Sequence, residues 1–240
     1  MKSATVQYAL FAVPAAIVAL LVILMETVPF SLALIAREDG LLESITAISF
    51  AVATVCFALA AARAPQLREP VWARAMTICW AVLMLLALGE EISWGQRILG
   101  IETPASMSEI NTQGEINFHN IGAVNEFFGG TYRWMSIYLL MMGFGIPLVA
   151  LTNWGKQIFA FFRFPVSPWC YSVLFLGAYV YGAYYRVWFP VPDLQPPNTP
   201  TEIREMLMAV GSAFFALHTL MWPGDVYFRT QTSAGRQPGA

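Results

Sequence analysis

The sequence predicts an all-α, polytopic integral membrane bundle, and three observations carry that prediction. Of 240 residues, 58% are hydrophobic and only 12% are charged, whereas a soluble domain carries about 25% charged residues. The apolar residues fall into six runs of roughly 20, the length a helix needs to cross the hydrocarbon core. Backbone groups in lipid must bond within their own segment, so such runs are helices. A net charge of −2 gives no argument for a nucleic-acid partner. Cys56, Cys79 and Cys170 sit in or at the ends of apolar runs without CxxC spacing, as packing residues do.

The expected spans are about 8–28, 42–63, 75–95, 132–152, 168–188 and 201–222, within one domain of residues 1–225, followed by a short polar tail over 226–240. The first run is longer than a secretory-signal core and lacks a convincing cleavage site, so it reads as a retained span. The first connection, PFSLALIAREDG, is itself apolar and is expected to lie along the interface. The second, RAPQLREPVWAR, is short, basic and punctuated by proline. The third, from Ile98 to Thr131, is too long for a plain loop and too polar to span. It reads as an interfacial or re-entrant lid. Thr103-Pro104 looks like an N-cap with proline at the first helical position. One helical piece is expected to run to about Asn111 and a second to cover Glu115 to Phe128. Thr199-Pro200-Thr201-Glu202 has the pattern of a capping box that opens the last span.

Orientation follows from Lys and Arg. With the N-terminus inside, Lys2, Arg63, Arg68, Arg74, Lys156, Arg163, Arg229 and Arg236 are cytoplasmic, eight against the five of Arg37, Arg97, Arg133, Arg186 and Arg204. The expectation is a bacterial cytoplasmic (inner) membrane protein with both termini cytoplasmic. Of the fifteen acids only Glu69 and Asp225 then fall inside. Acids do not set topology, so the imbalance points either to chemistry on the outer face or to a solvated acidic rim.

The stretch GEEISWGQR ends a run that carries no charge after Arg74. Glu90 lies sixteen residues beyond Arg74, or about 24 Å along a helix, near the outer boundary of the core. On a continuous helix Glu90, Trp94 and Arg97 share one face at i, i+4, i+7. A carboxylate at this depth is costly unless paired or facing a polar cavity. Two further polar patches map to the same level: Glu38, Asp39 and Glu43 at the start of the second span, and Asn111, Gln113, Glu115, Asn117, His119 and Asn120 in the lid. If the second lid piece is helical, Glu115 and His119 stand one turn apart. The candidate catalytic residues are Glu90, Glu91, Arg97, Glu115 and His119. Glu38, Asp39, Glu43, Trp94 and Asn117 are candidates for substrate binding. Carboxylates beside an apolar boundary suit general acid or base work on an amphiphile. Were a divalent metal bound, Glu115, His119 and Glu91 would be its ligands, although no standard ligand spacing is present. The structural alternatives stand beside these: Glu90 and Glu91 as salt-bridge partners of Arg97 and Arg37, His119 as a hydrogen-bonder, Ser93 as a packing or capping hydroxyl, His218 as a helix-packing side chain, and Tyr179 to Phe189 as an aromatic interface belt. Glu26 either joins the site or reaches headgroup water.

These residues carry a resemblance. GEEISWGQRILGIETP followed by EINTQGEINFHN is similar to the signature of a family of uncharacterised bacterial polytopic membrane proteins, Glu-Glu-x-Ser-Trp-Gly-Gln-Arg, then Thr-Pro, then Asn-x-Gln-Gly-Glu-x-Asn-x-His-Asn. The upstream EDGLLE fits as well, so the likeness covers most of residues 37–121. It implies a shared membrane fold and a shared site, and no particular activity. A second likeness is partial. The pair Glu90-Glu91 with Arg97, and Phe214 to His218, resemble motifs of the intramembrane glutamate proteases. Five residues separate Glu91 from Arg97 where that family has three, and its third motif is absent after His218. Three functions are therefore expected as alternatives: an enzyme acting on a lipid or isoprenoid-like amphiphile, a proton-linked transporter with Glu90 or Glu91 as carrier, or a non-catalytic subunit or assembly factor. The expected partners are membrane lipids and other membrane-protein subunits.

Overall fold

The computed structural model describes residues 4–37, 40–64, 70–111, 114–118, 121–123 and 131–226, with the side chains of 4–10, 97, 131–132 and 224–225 outside that description. The described residues are helical apart from turns and one isolated bridge between Asn111 and Ile121. The helices are α1 (Ala4–Thr27), α2 (Pro29–Ile35), α3 (Leu41–Arg63), α4 (Val71–Glu91), α5 (Gln96–Leu99), α6 (Ala105–Ser108), α7 (Thr131–Leu140), α8 (Ile146–Val149), α9 (Asn153–Phe162), α10 (Trp169–Ala183), α11 (Thr199–Met221) and α12 (Pro223–Val226). Three of them, α3, α4 and α11, are long and apolar enough to cross a membrane. The number rises to five if two bent pairs each count as one span: α1 from Phe11 with α2, and Arg133–Val149 with α9. The lipid-type surface is visible along α3 and α4, where Ile48, Val52, Val55, Leu59, Ile78, Val82, Leu83, Leu85 and Leu86 are all exposed. In water such a surface would be unfavourable along its whole length.

Ring contacts set the direction of each helix. Phe57 and Phe215 lie sixteen residues from the starts of α3 and α11, and their rings meet at 5.3 Å, so these helices run parallel. Trp80, in the first half of α4, packs on both at 5.9 and 5.5 Å, so α4 runs against them. Tyr171 near the start of α10 meets His218 near the end of α11, which makes that pair antiparallel. Glu26 at the end of α1 accepts a hydrogen bond from Tyr185 just beyond α10, and Val18 packs over Gly177, so α1 and α10 are parallel. Ser136 in α7 bonds Arg204 in α11, and both are near their helix starts. One end of the bundle thus collects the C-termini of α1, α4 and α10 and the N-termini of α3, α7 and α11. The segment from Ser93 to Phe118 covers α4 at this end.

Helix boundaries differ from expectation in physically informative ways. α3 matches its apolar run within one residue at each end. α4 starts and stops four residues earlier than 75–95, so the shared face proposed for Glu90, Trp94 and Arg97 does not exist as a helical face. Two helical runs, after α7 and after α10, continue into π-turns, Met141–Gly145 and Tyr184–Trp188. Each ends just before a proline: Ile146 donates to Met141 O ahead of Pro147, and Phe189 to Tyr184 O ahead of Pro190. Proline has no N–H and crowds the carbonyl four residues back, so the preceding turn widens. The last span opens at Asn198 rather than through a Thr capping box. Thr199 Oγ1 donates back to Pro196 O, and Asn198 Nδ2 donates to Glu202 Oε1. Beyond Val226, the tail lies outside the described residues.

Candidate functional site

The site begins where α4 stops. Ser93, Trp94 and Gly95 have φ of 45°, 55° and 80°, three successive left-handed residues. Each non-glycine residue in this region costs roughly 1–2 kcal/mol. The reversal is held by side-chain packing. The Trp94 ring lies over Gly89, where a Cβ would stand 2.8 Å from ring carbon, and Trp94 Nε1 donates to Glu90 Oε1 at 2.8 Å. Gly95 alone of the three adopts its φ without penalty. Gly95→Ala should therefore lower stability by about 1 kcal/mol, read from unfolding in mixed micelles, with no change in helix content.

The lid then returns onto this turn through side-chain bonds. Gln96 reaches both ways: its Oε1 accepts from Ile116 N–H at 2.7 Å, and its Nε2 donates to Thr103 Oγ1. Thr103 Oγ1 donates on to Gly114 O at 2.6 Å, so it braces the lid and does not cap α6, whose N-cap is Pro104. Glu90 Oε2 accepts from Phe118 N–H at 2.7 Å. Glu115 Oε2 accepts from Ser93 Oγ at 2.6 Å and from Asn117 Nδ2 at 2.8 Å. Asn111 Nδ2 donates to both the carbonyl and Oδ1 of Asn117, each at 2.9 Å. Ser93, Asn111 and Asn117 are buried, and Glu90 and Glu115 are half-buried. The bonds to Glu90 and Glu115 go to carboxylates and are charge-assisted, stronger than neutral ones.

The structure brings Glu90, Trp94, Glu115 and Asn117 into one network. Glu91 closes α4 half-buried beside it, and Glu43 sits half-buried in the first turn of α3 at the same bundle end. Glu38, Asp39, His119 and the Arg97 side chain lie outside the described residues. The expected second lid helix is absent over Glu115 to Phe118, which is a run of bends, so Glu115 and His119 are not one turn apart on a helix. Glu115 is instead placed by its bond to Ser93, twenty-two residues earlier. Among the described residues no three of His, Cys, Asp and Glu stand close enough to hold a metal ion. Ser93, Gln96 and Thr103 are structural members of the site that sequence reasoning did not place there, and Asn111, expected among the polar lid residues, joins them. Polar, uncharged residues spaced through an otherwise apolar boundary were the available signal.

A second polar group lies deeper at the same end. Arg204, fully buried five residues into α11, donates from Nη2 to Ser136 Oγ at 3.0 Å. Its Cδ passes so close to Gly182 that a Cβ there would stand at 2.7 Å. Glu26 Oε1 accepts from Tyr185 at 2.7 Å, and the Tyr185 ring packs on Tyr181. His218 sits apart from all of these, buried near the other end of α11 with Nδ1 3.0 Å from Tyr171 OH, in the helix-packing role.

Fold and site together define an all-helical protein with helices fit to cross a membrane and a polar clasp folded over one end of the bundle. Compared with family models, with curated proteins and with solved structures, the chain matches none.

Proposed function

We propose that this chain is a six-span protein of the bacterial cytoplasmic membrane, with both termini cytoplasmic, whose clasped outer end engages a lipid or isoprenoid-like amphiphile. One observation carries the reading. The lid is turned inside out relative to a solvated loop: Ser93, Asn117 and Asn111 are 1%, 1% and 5% exposed, while Ile98, Leu99, Ile110 and Phe118 are 76%, 69%, 52% and 58% exposed. A segment that hides its amides and presents its aliphatic side chains belongs at a lipid boundary, not in bulk water. Glu90 and Gln96 hold the lid. Ser93 and Glu115 form the pair with reactive geometry, a hydroxyl hydrogen-bonded to a potential base. In this reading Arg97 and His119 complete the polar end of the site, and the signature likeness over residues 37–121 is the likeness of this clasp.

The test is the lipid content of the purified protein. Wild type should retain an amphiphile class, identified by mass spectrometry, that Glu115→Gln loses by about fivefold or more, equivalent to about 1 kcal/mol. Equal retention by both proteins overturns the reading. Sidedness is checked by cysteine labelling, which should reach positions near Arg68 from the cytoplasm and near Pro196 from outside.

A second reading, a non-catalytic subunit or assembly factor, is favoured by one feature. Both oxygens of Glu90 already accept bonds from the clasp, as in a purely structural brace. The transport alternative draws no support from the middle of the bundle, where Phe57, Trp80 and Phe215 pack ring on ring.

A further inference from the structure

We propose that α9 lies flat in the lipid–water boundary at the bundle end opposite the lid, and that with Arg63, Arg74 and Lys156 it binds anionic lipid headgroups. The inference shares only membrane embedding with the reading above.

The backbone supplies the orientation. α9 leaves the Arg133–Val149 segment at a bend of 112°, so a crossing helix is followed by one running nearly in the membrane plane. The turn is built in. Thr152 Oγ1 accepts from Gly155 N–H at 3.0 Å as N-cap, and a Cβ on Gly155 would meet Val149 O at 2.0 Å. Arg163 closes the helix with φ of 50°.

The side chains divide α9 into three sectors. Gly155, Phe159 and Ala160 face the protein, buried or half-buried, with the Phe159 ring against Phe164. Trp154, Ile158, Phe161 and Phe162 are exposed at i, i+4, i+7 and i+8, one continuous apolar stripe. Asn153, Lys156 and Gln157 are exposed on the side away from that stripe, flanking Ala160. A helix at a water-soluble surface turns its apolar stripe inward. Here the protein takes a narrow face of Gly155, Phe159 and Ala160, and the exposed aromatic stripe points away from it. An interfacial helix has this division, with its apolar face in the acyl boundary and its polar edge in water.

Charge selects the headgroup. Arg63 ends α3, Arg74 lies in the first turn of α4 and Lys156 lies in α9; all three are exposed at this end. Asp225 in α12 is at this end, with its side chain outside the description; every acid whose side chain is described, Glu26, Glu43, Glu90, Glu91, Glu102, Glu109, Glu115, Asp193, Glu202 and Glu205, belongs to the opposite end or its loops. A cationic rim beside an inserted aromatic stripe is complementary to anionic lipid.

The full-length protein is to be reconstituted in phosphatidylcholine nanodiscs with about one third phosphatidylglycerol, a strongly anionic surface. Nitroxide labels go at Phe161→Cys and Lys156→Cys in a chain whose three native cysteines are replaced by serine. The Phe161 label should be accessible to oxygen and about 5–10 Å below the headgroups, and the Lys156 label accessible to a water-soluble relaxer. Equal water access at both positions overturns the interfacial placement. Spin–spin broadening at Phe161 also overturns it, in favour of a contact between two copies of this chain. Separately, native mass spectrometry compares bound phosphatidylglycerol. Neutralising all three cations (Arg63→Gln, Arg74→Gln, Lys156→Gln) should reduce its enrichment over phosphatidylcholine by about tenfold or more, since each cation near such a surface is worth about fivefold. Unchanged enrichment overturns the anionic preference. Lys156→Arg should preserve it.

Discussion

Asn117→Leu should lower the unfolding free energy by about 3 kcal/mol, because a buried hydrogen-bonding group left without its partner costs roughly 1–3 kcal/mol. Asn117 is 1% exposed and works in both directions. Its Nδ2 donates to Glu115 Oε2 and to Ser93 Oγ, and its Oδ1 accepts from Asn111 Nδ2. Leucine fills a similar volume but returns none of these bonds. The Glu115 carboxylate then loses one of the donors that hold it, and the lid loses its central tie to the end of α4. Glu102→Gln is the matched control, since Glu102 is exposed. It should change stability by less than about 0.5 kcal/mol. Titration with a denaturing detergent in mixed micelles measures both. A loss no larger in Asn117→Leu than in Glu102→Gln would mean that the clasp is not a cooperative element. The double-mutant cycle of Ser93→Ala with Glu115→Gln is the finer measurement, and coupling above about 1 kcal/mol is expected for directly bonded partners.

The other large effect is expected at Arg204. Arg204→Ala removes a fully buried side chain from the lid-end third of α11, and large-to-small changes in a packed interior cost about 2–5 kcal/mol. The bond to Ser136 Oγ is lost at the same time, and with it one tie between α11 and α7. Arg204→Lys should recover part of the loss, because it keeps the charge and most of the stem but not the planar fork. Gly182→Val should mimic the defect from the other side, since even a Cβ there stands 2.7 Å from Arg204 Cδ. Arg186→Ala, on an exposed residue of the same bundle end, should cost less than about 0.5 kcal/mol. The ranking of these four variants by detergent denaturation distinguishes a packed internal arginine from a rim charge.

The sequence by itself determined that the chain is helical and carries membrane-length apolar helices, because burial of a whole segment in lipid depends on that segment's own composition. The α3 run from Leu41 to Arg63 is the clearest case. It also marked the part of the chain that carries the clasp, since Glu90, Trp94, Glu115 and Asn117 stood out as polar groups at an apolar boundary. Their geometry was not legible. The apolar run breaks at Glu90, but Glu-Glu-Ile-Ser-Trp is compatible with a helix, so the sequence does not say whether α4 ends at Glu91 or runs on toward Gly95. The left-handed turn over Ser93, Trp94 and Gly95 is held by the Trp94 ring on Gly89 and by lid residues more than twenty positions away. The lid piece from Glu115 to Phe118 had the spacing of a helix, but Gln96 and Glu90 take its backbone N–H groups at Ile116 and Phe118 and hold it in bends. α9 was missed for a related reason. Its apolar stripe faces away from the protein, so only the bend after α8 shows what that stripe is for. Arg204 read as one cation of the outer end, and only helix packing made it a fully buried tie between α7 and α11. Composition fixes where a segment is stable, whereas pairings such as Ser93 with Glu115 depend on chain reversals whose energies are shared among distant residues, and only the tertiary structure assigns them.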